Sequence, residues 1–349
     1  MASQVKDAAW LEWIAGLMGL GSRQTETATL PTGQFHCLLD ELPLHLIPRR
    51  QLVSHDQWRK RPEQQLFFNP QCSVLPPGEL PQELESHRYL LRNFNLQRTI
   101  AWVRDSGTGS FHPFWLGPRL KAAVWSLRAG EAVPASLPAD VCSLLAGAGI
   151  LIPEGCIENG LTKWTSIVEK SSQQFQKRGY VPLGNVIHPF NLAALRRYYR
   201  HAIRRGDIRL GDEHVPRRYV AHNESVACFF HHQLANAVGT IVGAAVKPSY
   251  VYLASYLSGA ELKKHTDREQ CEFSVTLCLD FSPEPELATS WPICVETPEG
   301  SAAVYQALGD ALVYRGTKVP HYRGVLADGF TSTSIFFHYV RADFAGPLD

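Results

Sequence analysis

Residues 265–280 read HTDREQCEFSVTLCLD, and this stretch decides the fold. Its second part, 271–280, is an apolar run rich in β-forming residues and predicts a strand. Further short strands, separated by Gly and Pro turns, are predicted on both sides of it, at 249–257, 293–296, 302–306, 311–314, 321–325 and 333–340. Short strands at close spacing predict an all-β sandwich or barrel for the last part of the chain.

The start of the same stretch carries two side chains that can bind a metal, His265 and Asp267. A His two residues from an Asp is more often a surface ion pair, but on a strand the two side chains project from the same side. A third ligand has to come from another strand, and His321 stands where a new strand begins. Two imidazoles and one carboxylate form a facial triad, which leaves three positions of an octahedral Fe(II) ion open for a cosubstrate and dioxygen.

Residues 174–345 resemble the prolyl-hydroxylase-like branch of the 2-oxoglutarate/Fe(II)-dependent dioxygenases. The matching stretches are 175–186, 252–259, 265–279 and 309–339. The resemblance implies a double-stranded β-helix core, of the jelly-roll or cupin-like kind, in which His265, Asp267 and His321 are the metal ligands and catalytic residues. It also implies Fe(II), 2-oxoglutarate and O2 as cofactor and cosubstrates, with ascorbate as a further candidate. In such enzymes decarboxylation yields a ferryl species that abstracts hydrogen from the substrate, usually leading to hydroxylation.

One stretch departs from the family pattern. The family normally has an Arg or Lys after a Gly that follows the distal His, where it pairs with the far carboxylate of 2-oxoglutarate. Here that stretch, 329–334, reads GFTSTS and contains no cation. The hydroxyl groups of Thr331, Ser332 and Ser334 can hydrogen-bond a carboxylate, although each is weaker than a charge-assisted pair. A cation from elsewhere in the chain is therefore expected.

Two arginines are candidates for that cation. Arg323 lies two residues after His321 and is predicted to share the same face of its strand, so it is the first candidate. Arg315, on the preceding strand, is the second. The alternative is that both are exposed and solvated, which is the usual environment of Arg.

Other side chains near the triad are candidates for contact with cosubstrate or substrate. Tyr252 and Tyr256 precede the His-Thr-Asp motif on a strand where the family often places a Tyr that touches the cosubstrate; the alternative is core packing. Arg268 either binds an acidic group of the substrate or pairs with Glu269 or Glu272. Trp291 is a second candidate for substrate contact.

Three further histidines and two arginine pairs are interpreted as structural or solvated. The His pair at 231–232, within an apolar helix, and His338, in the last strand, are predicted to be structural. The arginine pairs at 196–197 and 217–218 are predicted to lie on solvated helix or loop faces.

The fold class that follows is α+β: a double-stranded β-helix buttressed by helices, with a smaller and mostly helical N-terminal domain. Buttressing helices are predicted at 189–205 and 224–246, and the polar stretch 163–177 predicts a domain boundary near residues 155–175. We therefore expect an N-terminal accessory or recognition region at 1–160 and the oxygenase domain at 174–345. Within the first, two helices (114–127 and 139–148) and a strand (150–153) at 111–153 suggest a winged-helix-like module. The alternative is a simple packing element.

Composition excludes several classes of protein. The 349 residues carry a net charge of +1, from 34 Lys and Arg against 33 Asp and Glu, so neither nucleic acid nor a membrane is an expected partner. The apolar patch at 10–20 contains Glu12 and is too short to span a bilayer, which predicts a soluble protein without a signal peptide. The eight Cys show no CxxC pair, which predicts reduced thiols and a cytoplasmic location.

The preferred hypothesis is an oxygenase that hydroxylates an unactivated C–H bond of a peptide or of a biosynthetic intermediate. A second hypothesis keeps the same iron site but has it carry out desaturation, cyclisation or bond cleavage on a small molecule, since the outcome depends on how the substrate is held. A third, from another class, is a non-catalytic β-barrel binding module that holds a metal. The sequence does not indicate the oligomeric state.

Overall fold

Eight consecutive strands in the last hundred residues form two antiparallel sheets. The computed structural model describes residues 33–51, 64–212 and 215–349. The apolar patch at 10–20 and the start of the predicted N-terminal region lie outside the described residues. The strands of the two sheets are β9 (Val246–Tyr256), β10 (Leu262–His265), β11 (Phe273–Ser282), β12 (Ile293–Thr297), β13 (Gly300–Val304), β14 (Ala311–Tyr314), β15 (His321–Arg323) and β16 (Thr331–Arg341).

The chain passes back and forth between the sheets, so that β9, β11, β14 and β16 lie in a major sheet and β10, β12, β13 and β15 in a minor one. This arrangement is a double-stranded β-helix, and it confirms the strand-rich core expected from the sequence. Every strand predicted in this part of the chain is found, with ends that differ by a few residues.

The major sheet is extended at both edges by three earlier strands, β6 (Tyr180–Leu183), β7 (Arg209–Leu210) and β8 (Arg218–His222). The order of its strands is β6-β14-β11-β16-β9-β8-β7. Facing residues in the antiparallel ladders share one side of the sheet. Ser274 is opposite His338 and Tyr314, and Tyr256 is opposite Ser332 and Arg218. These side chains therefore all lie on the face that is turned towards the minor sheet.

Three helices cover the opposite face of the major sheet. The helices of the described residues are α1 (Gln82–Glu85), α2 (Pro118–Val124), α3 (Ala139–Gly147), α4 (Cys156–Arg178), α5 (Pro189–Arg205) and α6 (Ser225–Val242). Of these, α4 contacts β6, α5 contacts β11 and α6 contacts β9 and β16. Both predicted buttressing helices are thus confirmed. The second ends earlier than expected because Gly243, with a φ of 72°, adopts the left-handed conformation that closes a helix.

The N-terminal part of the described chain consists of short elements. Strands β2 (Cys72–Leu75), β3 (Ile100–Arg104) and β4 (Phe111–Trp115) form one sheet, and β1 (Leu66–Phe68) pairs with β5 (Leu151–Pro153). The two predicted helices are found, but the first begins only at Pro118, because the residues before it pair with β3. Since β4 and β5 join different sheets, the structure does not confirm a winged-helix-like module.

Residues 33–349 form one compact unit. The polar segment expected at a domain boundary is helical and belongs to α4. The division into an N-terminal region and an oxygenase domain remains a prediction. No helix within the described ranges is long and apolar enough to span a bilayer.

A buried ion-pair network fixes α5 to the outer face of the major sheet. A bulge in β11 between Cys278 and Asp280 turns the Asp280 carboxylate towards the helix, where it accepts hydrogen bonds from Arg196 (3.0 Å) and Arg200 (2.6 Å). Arg196 is 1% exposed and also pairs with Glu284 at 2.8 Å. The prediction that the arginine pair at 196–197 is solvated is therefore wrong for Arg196.

Asp280→Asn is expected to lower the free energy of unfolding at neutral pH by about 2–3 kcal/mol, because it leaves buried cations with one carboxylate fewer. Burial raises the pKa of Asp280, but attraction to Arg196 and Arg200 outweighs this, so the pKa lies below its ordinary value. A lowered pKa means that the ion pairs stabilise the protein above about pH 4 and are lost as the pH falls further. Denaturant unfolding at pH 7 and below pH 4 measures both effects.

Asp140→Asn is the matched control, since Asp140 pairs with Arg119 on the surface, where the two side chains are 64% and 56% exposed. Its expected cost is below about 0.5 kcal/mol. Equal losses of unfolding free energy in the two variants would contradict the proposed role of the network. So would a difference in unfolding free energy between Asp280→Asn and the wild type that does not shrink in acid.

Candidate metal centre

The minor sheet brings together the three side chains predicted as metal ligands. His265 ends β10 and stands directly opposite His321, the first residue of β15, with ring centroids 4.4 Å apart. Asp267 follows β10, and its backbone N–H donates to the carbonyl of Gly316 at 2.9 Å. Two antiparallel strands and one turn therefore place both imidazoles and the carboxylate around one point.

The distances between the donor atoms suit one small cation. Asp267 Oδ1 lies 3.7 Å from His265 Nε2 and 3.5 Å from His321 Nε2, and all potential ligand atoms lie within 4.8 Å of one another. Ligand atoms that each lie about 2.1 Å from an ion at right angles are about 3 Å apart. The two distances from Asp267 exceed this value by about 0.5 and 0.7 Å, so a small inward movement of the side chains would give the geometry of a facial triad.

Backbone carbonyls orient both imidazoles. The Nδ1 atom of His265 lies 2.7 Å from the carbonyl oxygen of Lys263, and that of His321 lies 3.1 Å from the carbonyl oxygen of Val319. A carbonyl only accepts, so Nδ1 donates in each ring, and Nε2 is the ring atom that faces the neighbouring carboxylate. Burial lowers the pKa of His321, which also favours the neutral, metal-binding form.

The Asp267 carboxylate is oriented by a hydrogen bond on the side away from the imidazoles. Ser274 Oγ donates to Asp267 Oδ2 at 2.7 Å and contacts His338 Nδ1 at 2.9 Å, which leaves Oδ1 facing the two imidazoles. Gly316 makes this close packing possible: a Cβ at that position would lie 2.5 Å from Asp267 Oδ2 and closer still to the carbonyl of Cys271. Any larger residue at 316 would displace the carboxylate.

Arg323 lies two residues beyond His321 on the same face of β15, as predicted, and is 3% exposed. It donates to the carbonyl of Trp291 at 2.7 Å and to Gln306 Oε1 at 3.2 Å, and it lies 4.9 Å from the centre of the Trp291 ring. No carboxylate of the described residues forms an ion pair with it, and its Nε atom has no partner. Burial accordingly lowers the pKa of Arg323. A buried cation without a counter-charge indicates an anion-binding site.

Two further hydrogen-bond donors in this region have no acceptor in the described part of the chain. Ser334 Oγ is fully buried and has no partner. The fully buried Tyr256 hydroxyl accepts a hydrogen bond from Arg218 at 3.2 Å, so its own proton has to point elsewhere. The Trp291 ring contacts both Tyr256, at 5.1 Å between centroids, and Arg323, so these two donors adjoin one region of the interior.

The other predicted cosubstrate residues are divided between the two faces. Ser332 and Tyr252 lie on the inner face, and the Tyr252 hydroxyl donates to Asp212 at 2.7 Å. Thr331 has the strand parity of Thr333 and so faces the other side of β16. Arg315 follows Tyr314 and therefore points towards the helices, where it donates to Gln176 at 2.8 Å. The structure does not bring Thr331 or Arg315 to the site.

The two candidate substrate contacts differ in exposure. Arg268 is exposed beside the triad, donates to the Tyr250 hydroxyl at 3.3 Å and lies over that ring, and it pairs with neither Glu269 nor Glu272. Trp291 is 5% exposed, and its Nε1 donates to the carbonyl of Gly324 at 2.6 Å. Its indole therefore packs against Arg323 in the interior.

Several residues of the site were not singled out from the sequence. Ser274 and Tyr314 lie on the inner face, and the Tyr314 hydroxyl is 3.4 Å from His321 Nε2. The alternation of Ser274, Thr276 and Cys278 with larger apolar residues along β11 would have indicated the inner face. Arg218, predicted to be solvated, is instead buried and paired with Asp212. Nothing in the sequence distinguishes it from Arg217.

The chain matches no family model and no curated protein. It is similar to solved structures of 2-oxoglutarate/Fe(II)-dependent oxygenases. These include the epimerase SnoN in complex with Fe3+, α-ketoglutarate and nogalamycin RO (11% identity, 51% of this chain and 85% of that chain, TM-score 0.44). A Pseudomonas putida prolyl-4-hydroxylase has 15% identity over 49% of this chain and 98% of its own, with a TM-score of 0.40. An oxidoreductase of the 2OG-Fe(II) oxygenase family from Burkholderia pseudomallei has 17% identity over 51% and 92%, with a TM-score of 0.40.

Proposed function

We propose that this protein is an Fe(II)- and 2-oxoglutarate-dependent oxygenase that hydroxylates an unactivated C–H bond. The observation that carries the proposal is a pair of adjoining sites inside one β-helix. The first contains two imidazoles and a carboxylate facing one another. The second contains a buried arginine with no carboxylate partner among the described residues.

The triad fits Fe(II). Two nitrogen atoms and one oxygen atom from one side of the coordination sphere leave the other side open to a chelating cosubstrate and to dioxygen. When bound, iron and 2-oxoglutarate supply the oxidising power that inserts one oxygen atom of O2 into a C–H bond, with succinate and carbon dioxide as coproducts. The protein holds the metal through His265, Asp267 and His321, and Ser274 keeps the carboxylate oriented.

The second site fits the far carboxylate of 2-oxoglutarate. Arg323 Nε, the Ser334 hydroxyl and the Tyr256 hydroxyl are buried donors whose protons have no acceptor in the described residues, and a carboxylate accepts from all three. Residues two apart on a strand are separated by about 6.6 Å. This separation between His321 and Arg323 suits a five-carbon dicarboxylate that reaches from the metal to the guanidinium.

The proposed substrate is a peptide or a small biosynthetic intermediate. It would enter beside His265, the exposed member of the triad, where Arg268 is free of carboxylate partners among the described residues and could bind an acidic group. We propose that the residues before 160 contribute to substrate recognition. All eight cysteines are reduced thiols in the structure, which supports a cytoplasmic location.

Anaerobic titration of the protein with Fe(II) and then 2-oxoglutarate tests the proposal. The expected result is a weak visible charge-transfer band that needs both components, followed on addition of O2 by succinate formation. Titration with Fe(II) and succinate is the control and should give no such band. Metal binding without a band would favour the metal-holding binding module instead. If the band forms and candidate substrates gain no oxygen atom, the desaturation, cyclisation or cleavage hypothesis would be favoured over hydroxylation.

A further inference from the structure

We infer that Gln306 makes this site select an oxoacid with a second carboxylate. The inference rests on the proposed function and adds to it a specificity-determining residue. Gln306 follows β13, is 3% exposed and is the one side chain among the described residues that accepts a hydrogen bond from the Arg323 guanidinium.

The orientation of the Gln306 carboxamide is set by two backbone carbonyls. Its Nε2 atom donates to the carbonyl of Thr276 at 2.8 Å and to that of Asp310 at 3.2 Å. Because carbonyl oxygens only accept, the amide nitrogen has to face them, and Oε1 has to face Arg323. The contact between Oε1 and Arg323 Nη2 is 3.2 Å.

The described contacts of Arg323 leave the charge of its guanidinium uncompensated. The other acceptor of Arg323 is the carbonyl of Trp291, and the ring beside it is the Trp291 indole, so the protein partners of the guanidinium in the described residues are all neutral. Gln306 thus orients Arg323 without cancelling its charge. A buried positive charge that the protein leaves uncompensated is stabilised by a ligand that brings a negative charge. An oxoacid that ends in a methyl group cannot do this.

A carboxylate at position 306 would supply the counter-charge internally. Gln306→Glu has nearly the same shape, and ionised Glu next to Arg323 would form a buried ion pair, although its second oxygen would face the carbonyls of Thr276 and Asp310 without a proton to donate. The far carboxylate of 2-oxoglutarate would then meet a neutralised guanidinium and a like charge, whereas 2-oxovalerate, with five carbons and a terminal methyl group, would meet no repulsion.

The test measures the affinity of both oxoacids for the Fe(II)-loaded protein by the anaerobic charge-transfer band. The wild type is expected to prefer 2-oxoglutarate over 2-oxovalerate by at least about 100-fold, since a fully buried charge pair contributes strongly to affinity. In Gln306→Glu the preference is expected to fall below about 10-fold, with Fe(II) affinity unchanged. A folded Gln306→Glu protein that keeps the wild-type preference would overturn the inference.

Gln176→Glu is the matched control. Gln176 Oε1 accepts a hydrogen bond from Arg315 at 2.8 Å on the helix side of the sheet, so this substitution also places a carboxylate beside an arginine, outside the site. The control is expected to keep the preference for 2-oxoglutarate. Loss of preference in both variants would mean that the change is a general effect of added charge, and would overturn the inference.

Gln306→Met covers the case in which Gln306→Glu does not fold. It removes the carboxamide without adding a charge, so both oxoacids should bind more weakly while the preference for 2-oxoglutarate stays within about threefold of the wild type. Loss of preference in this variant would show that charge is not what Gln306 controls. If the wild type gives no band with either oxoacid, the proposed function itself fails, and the inference with it.

Discussion

His265→Ala is expected to abolish stoichiometric Fe(II) binding and, with it, all 2-oxoglutarate turnover. Removal of residues that only orient a ligand costs about 10–100-fold in metal affinity, and removal of a ligand costs more. The remaining pair, Asp267 and His321, offers one nitrogen and one oxygen. We expect an affinity loss of more than about 100-fold, measured by anaerobic titration, and succinate formation at the background level.

The variant is informative because His265 is the exposed ligand. Its side chain is 40% exposed, against 3% for His321, so alanine at this position should leave the fold intact. His201→Ala, at an exposed position on α5, is the control and should bind Fe(II) as the wild type does. Retention of tight Fe(II) binding by His265→Ala, with an unchanged far-UV spectrum, would show that the metal site lies elsewhere.

Arg323→Met is expected to weaken 2-oxoglutarate binding while leaving Fe(II) binding intact. Loss of one partner of a buried, hydrogen-bonded charge pair costs roughly 2–4 kcal/mol, which corresponds to about 30- to 1,000-fold in affinity. Without ligand, the wild type buries this charge with neutral partners only among the described residues. Methionine removes that cost but leaves the Trp291 carbonyl and Gln306 Oε1 without their donor, so the ligand-free variant should be about as stable as the wild type.

The measurements are the 2-oxoglutarate dependence of the charge-transfer band and thermal unfolding with and without Fe(II) and 2-oxoglutarate. Arg315→Met is the matched control, because Arg315 directly follows β14 and contacts Gln176 and the Phe175 ring on the helix side of the major sheet. It should bind 2-oxoglutarate normally. Equal losses in the two variants, or a ligand-free Arg323→Met protein that is markedly less stable, would mean that Arg323 is a structural residue and that the far carboxylate binds elsewhere.

The core strands could be predicted from the sequence because their signal is local. Strands β9, β11 and β16 are apolar runs bounded by Gly or Pro turns, and the structure confirms them with small shifts at their ends. Strand spacing alone does not place Asp267 relative to His265, because β10 ends at His265. The side of β15 on which Arg323 lies follows from its parity with His321. These relations hold over a few residues whatever the rest of the chain does.

The N-terminal region shows the limit of local signals. Two helices and a strand at 111–153 are found, but the sequence does not reveal that β5 pairs with β1 and β4 with β3. The same limit applies to single side chains. Arg196 and Arg218 each belong to an arginine pair, and only their partners Asp280, Glu284 and Asp212 explain why they are buried.

The sequence by itself determined a β-sandwich with a His-Thr-Asp motif, a later histidine and a cation two residues beyond it, because strand period and spacing are properties of the local chain. Only the tertiary structure decided that His265 stands opposite His321, that Ser274 orients Asp267, and that Gln306 orients Arg323 without neutralising it. Those contacts depend on which strands face each other and on which buried groups find partners. Both are settled by long-range packing and by the free-energy cost of burying unpaired polar atoms.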